Sequence, residues 1–337
     1  MPTHYLQELQ NEVDATHKGL GKLYAFCVLA AKAEQALLIV SPPGCGKSTV
    51  LKALRRQLPE TIWLETMTEA GMNPYADQLT DYRGSILFDD LAGMRTAYRR
   101  EHTLSTFTAL VTNHEIGSHT GHQHLEITGF HGSVMCGCQP VVLAPLLKSE
   151  NWDGLLADKT IRYYHLKRPV EPVLAELDLE VRWGKDINNV SEPLMADPWY
   201  VPLLEIGKTQ WTKGRNMEHT SALLKAAAAL DERLEVTPED AKILMEVMKP
   251  LAAEAQFVVK ESLDGERRMR RDYMYLLIEF ASYDGFTVDD LAEDYRTSKA
   301  TAYAVLERNS PLWVIRKKSP TKYYASITTH ETLSEIT

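Results

Sequence analysis

The stretch that most constrains this chain is an apolar run, Ala36–Val40, which leads through a glycine-containing loop into a helical pattern from Thr49 to Leu54. The loop reads SPPGCGKS over residues 41–48. A buried strand, a tight turn and a helix start are the context that a phosphate-binding loop requires, because the first helical turn presents unpaired N–H groups and the positive end of the helix dipole. The stretch therefore predicts a strand, a phosphate-binding loop and a helix, in that order.

The letters of the loop follow the Walker A pattern except at Ser41, where a glycine is expected. A chance match is therefore the alternative interpretation. Lys47 is expected to reach the β- and γ-phosphates of ATP and Ser48 to ligate Mg²⁺. The residues predicted to bind the nucleotide are Pro43, Gly44, Cys45, Gly46, Lys47, Ser48 and Thr49.

A second apolar run, Ser85–Phe88, ends in two acids, as a Walker B strand does. Asp89 is expected to hold the magnesium and Asp90 to polarise the attacking water. The carboxyl ends of parallel strands meet at one edge of a sheet, so both acids can face the loop after Val40. The alternative is that they only cap a following helix.

Length and composition limit the other classes of function. A chain of 337 residues suits two or three domains. The formal net charge of −9 excludes general polyanion binding, so a nucleic-acid surface has to be a local patch. Four cysteines without paired spacing indicate a reducing compartment. With neither a signal-peptide pattern nor a long apolar run, the sequence predicts a cytoplasmic protein with no membrane partner.

The Walker motifs, the predicted strand 132–138 ending before Pro140, and the run from Leu155 to Arg162 together resemble an AAA+ ATPase core. The resemblance implies an α/β P-loop core with a parallel sheet, ATP and Mg²⁺ as cofactors, and a ring-shaped homo-oligomer. In such a ring ATP is hydrolysed between neighbouring subunits.

The same resemblance assigns further catalytic roles. Gln139 is the candidate sensor of the γ-phosphate, at the end of the predicted strand. A finger, meaning a cation that reaches the neighbouring subunit's nucleotide, is either Lys159, at the usual position, or Arg162. Asp90 stands where the family has glutamate, which predicts slow turnover, because a carboxylate misplaced by about 1 Å can cost on the order of a hundredfold in rate.

The remaining chain divides by pattern. We expect an AAA+ core over residues 1–170, an insertion or connector over 171–213, a helical lid over 214–262, a winged-helix domain over 263–327 and a tail over 328–337. The lid most resembles that of the MCM helicases. There Arg215 matches the lid arginine called sensor 2, and a solvated arginine at a helix start is the alternative.

The predicted winged helix consists of helices followed by two strands, residues 313–318 and 322–327. Its third helix, residues 297–306, is expected to enter a DNA groove while the strands meet phosphates. A protein partner is the alternative, because acids such as Asp289 and Asp290 lie next to the basic residues. The residues predicted to contact DNA are Lys299, Thr301, Tyr303, Arg316, Lys317 and Lys318.

A histidine-rich stretch lies close to Cys136 and Cys138. It predicts either a zinc site or, as in MCM-like proteins, a hairpin over Gly117–Gly129 that enters the ring channel. The histidines are His114, His119, His122, His124 and His131.

Two functions follow as expectations. The first is an ATP-driven ring on DNA, of the kind used in replication as a motor, helicase or helicase loader, with a replication protein as a further partner. The second is a nucleotide-dependent switch or remodeller whose winged helix binds a partner protein.

Overall fold

The chain forms two compact units, Met1–Ala252 and Ala253–Thr337, called here the N-terminal and C-terminal units. The computed structural model describes residues 3–64, 69–94, 96–120, 123–147, 152, 156–166, 176–193, 199–208, 210–254, 287–289, 292, 298–308, 313–318 and 321–325.

The N-terminal unit is built on a five-stranded parallel sheet whose order is β2-β3-β6-β1-β7. Strands β4 and β5 form a separate two-stranded antiparallel hairpin. The seven strands described in this unit are β1 (Ala36–Val40), β2 (Thr61–Leu64), β3 (Ser85–Phe88), β4 (Ile116–Thr120), β5 (Gln123–Ile127), β6 (Ser133–Cys138) and β7 (Ile161–Tyr164). Val40 is in register with Cys138 on one side and Tyr164 on the other, so these strand ends lie at one edge. The predicted parallel sheet and the predicted hairpin are both confirmed.

The described helices of this unit are α1 (Tyr5–Thr16), α2 (Gly21–Lys32), α3 (Lys47–Gln57), α4 (Glu69–Met72), α5 (Ala76–Leu79), α6 (Ala97–Asn113), α7 (Pro140–Leu146), α8 (Tyr200–Gly207), α9 (Lys213–Leu230) and α10 (Pro238–Met248). Every residue of α2 except Lys22 is buried. Helices α1, α9 and α10 pack against α2, and so does strand β6. The helix thus lies in the main hydrophobic core between the sheet and the helices that follow it.

The helices after the sheet are held to the start of the chain by polar contacts. Asp240 forms a capping box with Thr237 at the start of α10. Its buried carboxylate also lies 3.0 Å from His4 Nε2 and accepts from Arg233 Nη1 at 2.7 Å. These hydrogen bonds outweigh burial and lower the pKa of Asp240 to about 2. The carboxylate therefore stays ionised and keeps α1 on α10.

Residues 176–193, within the predicted insertion or connector, cross the surface of α9. Lys185 N donates to Ala229 O and Ser191 N to Leu234 O, each at 2.9 Å. Gly184 has φ of 65°, and a Cβ there would lie 2.0 Å from Ala229 O. Only glycine fits this crossing, because the backbone is left-handed and touches the helix end.

Two helices differ from the sequence-based expectation. The sequence pattern indicates a helix over 104–111, but α6 begins at Ala97, because the Thr96 side chain accepts from Arg99 N and caps an earlier start. Helix α8 was not predicted, since it contains Pro202. That proline lies in the first turn, where its missing N–H breaks no helical hydrogen bond.

In the C-terminal unit the described elements are helix α11 (Lys299–Arg308) and strands β8 (Trp313–Lys318) and β9 (Thr321–Ala325). The two strands pair as an antiparallel hairpin. The predicted end of the lid and the first winged-helix helix fall within 255–286, outside the described residues. Among the helices of the described ranges, none is long and apolar enough to cross a membrane.

Candidate active site

The loop of residues 41–48 connects β1 to α3 at the carboxyl edge of the sheet. Gly46 is the N-cap of α3 with φ of 87°, in the left-handed region that favours glycine. A Cβ on Gly46 would lie 2.7 Å from Leu20 Cδ2, just before α2. The first backbone N–H groups of a helix have no partner within the helix. The N–H groups at the start of α3 are therefore available to bind an anion such as a phosphate.

The local structure accounts for serine at position 41, where the Walker A pattern has glycine. Its backbone lies outside the left-handed region, so the position does not require glycine. The residue is fully buried, its N donates to Cys138 O at 3.0 Å and its Oγ to Pro42 O at 3.1 Å. Serine is small enough to fit, and its hydroxyl finds an acceptor.

Lys47 begins α3, and its side chain folds back over the loop. Nζ donates to Ser41 O at 2.9 Å and to Pro42 O at 3.3 Å, and it lies 3.6 Å from Asp90 Oδ2. Only 6% of the side chain is exposed. The ammonium is therefore held between the loop and the end of β3, where phosphate oxygens can replace the carbonyls as its partners.

Ser48 and Asp89 bring two oxygens together beside the lysine. Ser48 Oγ donates to Asp89 Oδ1 at 2.5 Å, which links the second residue of α3 to the residue after β3. Hydroxyl and carboxylate oxygens are the hard ligands that Mg²⁺ prefers. These two oxygens would hold a magnesium ion beside the loop.

The two carboxylate oxygens of Asp90 have different hydrogen-bond partners. Oδ1 accepts from Ala92 N at 2.8 Å and caps the 3-10 helix Leu91–Gly93. Oδ2 lies 3.3 Å from Gln139 Nε2, which donates to it, and faces the ammonium of Lys47. Capping and a role in the site are thus both compatible with the structure, each through a different oxygen.

Gly137 lies beside the candidate site and was not singled out from the sequence. It lies in β6 next to the end of β3, and a Cβ there would lie 2.1 Å from Asp89 O. A glycine at this point therefore lets β6 approach the acids, so that Gln139 reaches Asp90. The available signal was a glycine inside an otherwise apolar strand, which indicates close approach of another backbone.

The structure separates the two finger candidates. Lys159 ends the 3-10 helix Ala157–Lys159 and is partly exposed. Arg162 lies in β7 with 1% exposure, and its guanidinium donates to the carbonyls of Thr160 and Gln210, each at 2.8 Å. A buried guanidinium that bonds within its own subunit cannot reach a neighbouring nucleotide. The expectation for Arg162 is therefore corrected, and Lys159 remains the candidate.

The sensor 2 candidate Arg215 lies in the first turn of α9. Its guanidinium donates to Glu218 Oε2 at 2.5 Å, and its side chain is 37% exposed. This ion pair matches the alternative of a solvated arginine at a helix start.

The histidine and cysteine cluster shows no sign of a metal site in the described ranges. There, no group of three histidine, cysteine or acidic side chains could hold an ion. His114 and His131 stack with their ring centroids 4.9 Å apart, and burial raises the pKa of the Cys136 and Cys138 thiols. Buried thiols kept protonated are poor zinc ligands. The His122 position lies outside the described residues.

Comparison with known families gives one match. Residues 15–108 match the Rad17 P-loop domain, a range that includes α2, the loop after β1 and both acids after β3. The match supports a P-loop domain of the AAA+-like type in this part of the chain. No match was found among curated proteins. The match ends before Gln139 and Lys159, so it does not bear on the roles expected for those two residues.

Proposed function

We propose that this P-loop protein hydrolyses ATP with Mg²⁺ at the carboxyl edge of its sheet. The observation that carries the proposal is the convergence of Lys47, Asp90 and Gln139, from three different elements, on one point beside the loop. Such a set can bind a triphosphate, place a base beside it and monitor its terminal group.

Each side chain has a defined task in this proposal. Lys47 binds the β- and γ-phosphate oxygens, and the first amides of α3 bind the phosphate behind them. Ser48 and Asp89 hold Mg²⁺, which neutralises charge on the phosphates when bound. Asp90 Oδ2 orients the attacking water and accepts its proton, while the Gln139 amide donates to the oxygens around the reaction centre.

We further propose that the protein works as a ring oligomer in which Lys159 is the finger for the neighbouring subunit. Lys159 is partly exposed on the turn before β7, whereas Arg162 is fully buried. A cation supplied from another subunit stabilises charge on the γ-phosphate in the transition state and is worth about 10³–10⁵ in rate in related nucleotidases.

The substrate that we propose is DNA, engaged by a winged helix in the C-terminal unit, in a replication-type motor, helicase or loader. Helix α11 followed by the β8-β9 hairpin is the element order that such a domain has at its end. Tyr303 on α11 is 54% exposed, as a groove-facing residue has to be.

One observation favours the alternative of a partner protein. Lys299 Nζ lies 2.6 Å from Asp289 Oδ1, so one of the expected DNA-binding cations is already paired with an acid. A paired lysine contributes less to phosphate binding, while a mixed-charge surface suits a protein.

ATP turnover of the full chain, with and without single- and double-stranded DNA, tests the proposal. We expect slow turnover that rises with DNA. DNA affinity should fall with salt, and replacing Lys317 and Lys318 with alanine should reduce the salt slope by about two, because each phosphate contact contributes about 0.9. The control replaces Lys208 and Lys242, exposed lysines of the N-terminal unit, and should leave the slope unchanged. A DNA affinity that depends neither on salt concentration nor on the replacement of Lys317 and Lys318 would favour the protein partner.

A further inference from the structure

The turn that carries Lys159 has its backbone fixed by side chains from distant parts of the chain. His219 Nε2 donates to Asp158 O at 2.9 Å. Thr160 O accepts from Arg162 Nη1 at 2.8 Å and from Trp211 Nε1 at 3.2 Å. Arg162 Nη1 also donates to Ala157 O. Carbonyls on both sides of Lys159 are therefore held in place.

The side chains that donate to this turn and to β7 are buried. Their hydrogen bonds are therefore strong, and water cannot replace them easily. Gln210 is 5% exposed and His219 is 8% exposed. Burial lowers the pKa of His219 to about 4, so its ring is neutral near pH 7, with the Nε2 proton directed at Asp158 O.

Asp158 joins the turn to α9. Its Oδ1 accepts from Thr212 N at 2.7 Å and its Oδ2 from Thr212 Oγ1 at 2.8 Å. Thr212 is the N-cap residue of α9, so the carboxylate holds the start of that helix. The carboxylate is attached to the residue directly before Lys159.

Gln210 and Arg162 are joined by hydrogen bonds in both directions. Gln210 Oε1 accepts from Arg162 N at 3.0 Å, and Gln210 Nε2 donates to Arg162 O at 2.7 Å. Arg162 Nη2 returns a hydrogen bond to Gln210 O at 2.8 Å. The pair fixes the first residues of β7 and, through them, the end of the turn.

Lys159 differs from its neighbours in this turn. Within the part of the chain that the structure describes, its ammonium has no hydrogen-bond or ion-pair partner, although the backbone around it is fixed. A flexible lysine reaches a defined point more often when its backbone cannot move, and a displacement of about 1 Å at a reacting group can cost a hundredfold in rate.

We infer that Asp158, Arg162, Gln210, Trp211 and His219, called here the turn cluster, are positioning residues for Lys159 as the finger. The inference rests on the proposed function, because it requires that Lys159 acts on the neighbouring subunit's nucleotide. Asp158 is its most informative member, since it is partly exposed and adds little to the core.

The test uses the full chain at saturating ATP and Mg²⁺. Asp158→Ala should lower kcat about tenfold or more while nucleotide affinity stays within twofold, because its own phosphate loop is untouched. Asp158→Asn should keep most of the rate, since the amide oxygen can still accept from Thr212 N and the amide NH₂ can donate to Thr212 Oγ1. Asp186→Ala is the matched control, because the Asp186 carboxylate likewise accepts from a backbone N–H, that of Asn188 at 2.9 Å, and the change should leave kcat unaltered.

Mixing subunits separates positioning from general damage. Asp158→Ala subunits have an intact phosphate loop, and Lys47→Ala subunits have an intact turn, so a mixture should recover activity that neither has alone. If Asp158→Ala proves unfolded, Thr212→Val removes one of the same hydrogen bonds at nearly equal volume and should give a smaller loss, about threefold, that mixing also repairs.

Two results separate failure of the inference from failure of the proposed function. A normal rate for Lys159→Ala would remove the finger and with it the turn cluster's role. A defective Lys159→Ala that mixing repairs, together with a normal rate for Asp158→Ala, would overturn only the positioning role. Loss in Asp158→Ala that mixing cannot repair also counts against positioning, because a defect limited to the turn leaves the phosphate loop able to work.

Discussion

The phosphate-loop site and the turn that carries Lys159 use polar groups in opposite ways. In the first, functional side chains contact one another: Ser48 contacts Asp89, while Lys47 and Gln139 both contact Asp90. In the second, buried side chains hold backbone carbonyls, and Lys159, the proposed finger, has no hydrogen-bond or ion-pair partner among the described residues. The first arrangement can exchange its contacts for those of a ligand, whereas the second is suited to keep its shape.

The difference also decides what a substitution does. Removing a side chain of the phosphate-loop site should cost mainly activity, because these side chains contact one another and the loop rather than the hydrophobic core. Removing a buried donor of the turn cluster, such as Arg162, should cost stability, because carbonyls buried without a partner are expensive.

The largest effect is expected at the phosphate-loop site. Lys47→Ala removes the ammonium beside the loop carbonyls and Asp90, so turnover should fall by about 10³-fold or to the detection limit. Binding of a labelled ATP analogue and the ATPase rate measure the loss, while thermal unfolding should change little. Lys52→Ala, an exposed lysine of the same helix, is the control. Undiminished turnover in Lys47→Ala would remove the site.

The next effect belongs to the turn cluster and concerns folding. Arg162→Met keeps an unbranched chain but leaves the carbonyls of Ala157, Thr160 and Gln210 without this donor. The free energy of unfolding should fall by about 3–5 kcal/mol, measured by urea titration. Arg56→Met, at an exposed ion pair, should change it by less than about 1 kcal/mol. Equal small losses in both variants would mean that the turn is not held as described.

A smaller effect on turnover is expected from Asp90 in the phosphate-loop site. Asp90→Asn retains an oxygen to cap the 3-10 helix through Ala92 N but loses the carboxylate charge that faces Lys47. Turnover should fall by about 10²–10³-fold while ATP binding and unfolding temperature are kept. Combined loss of binding and hydrolysis would instead show that capping is the main task of Asp90.

The smallest effect is a pH dependence in the turn cluster. Burial lowers the pKa of His219 to about 4, below the unfolded value near 6.5. The unfolded chain therefore binds the proton first, and the stability present above pH 6.5 is lost as pH falls toward 4, by about 2–3 kcal/mol. His219→Gln should remove this part of the pH slope of unfolding, whereas the exposed His131→Gln should not. Identical slopes in wild type and His219→Gln would contradict a buried neutral ring.

The same contrast shows what the sequence could predict. The strand, loop and helix around Lys47 and the strand before Asp89 are confirmed, because each is encoded by adjacent residues with strong local preferences. The choice between Lys159 and Arg162 was not accessible, because it depends on Gln210, Trp211 and His219, which are about fifty to sixty residues further along the chain. The winged helix and the ring remain predictions.

Gln210 has a consequence for how copies of this protein can meet. Strand β7 is at the end of the sheet order, and a bare end strand offers its N–H and C=O groups to a strand from another molecule. The Gln210 amide occupies both groups of Arg162, as a paired strand would. Another chain therefore cannot extend the sheet across that residue. Any assembly along this side therefore has to use side-chain surfaces rather than strand pairing at Arg162.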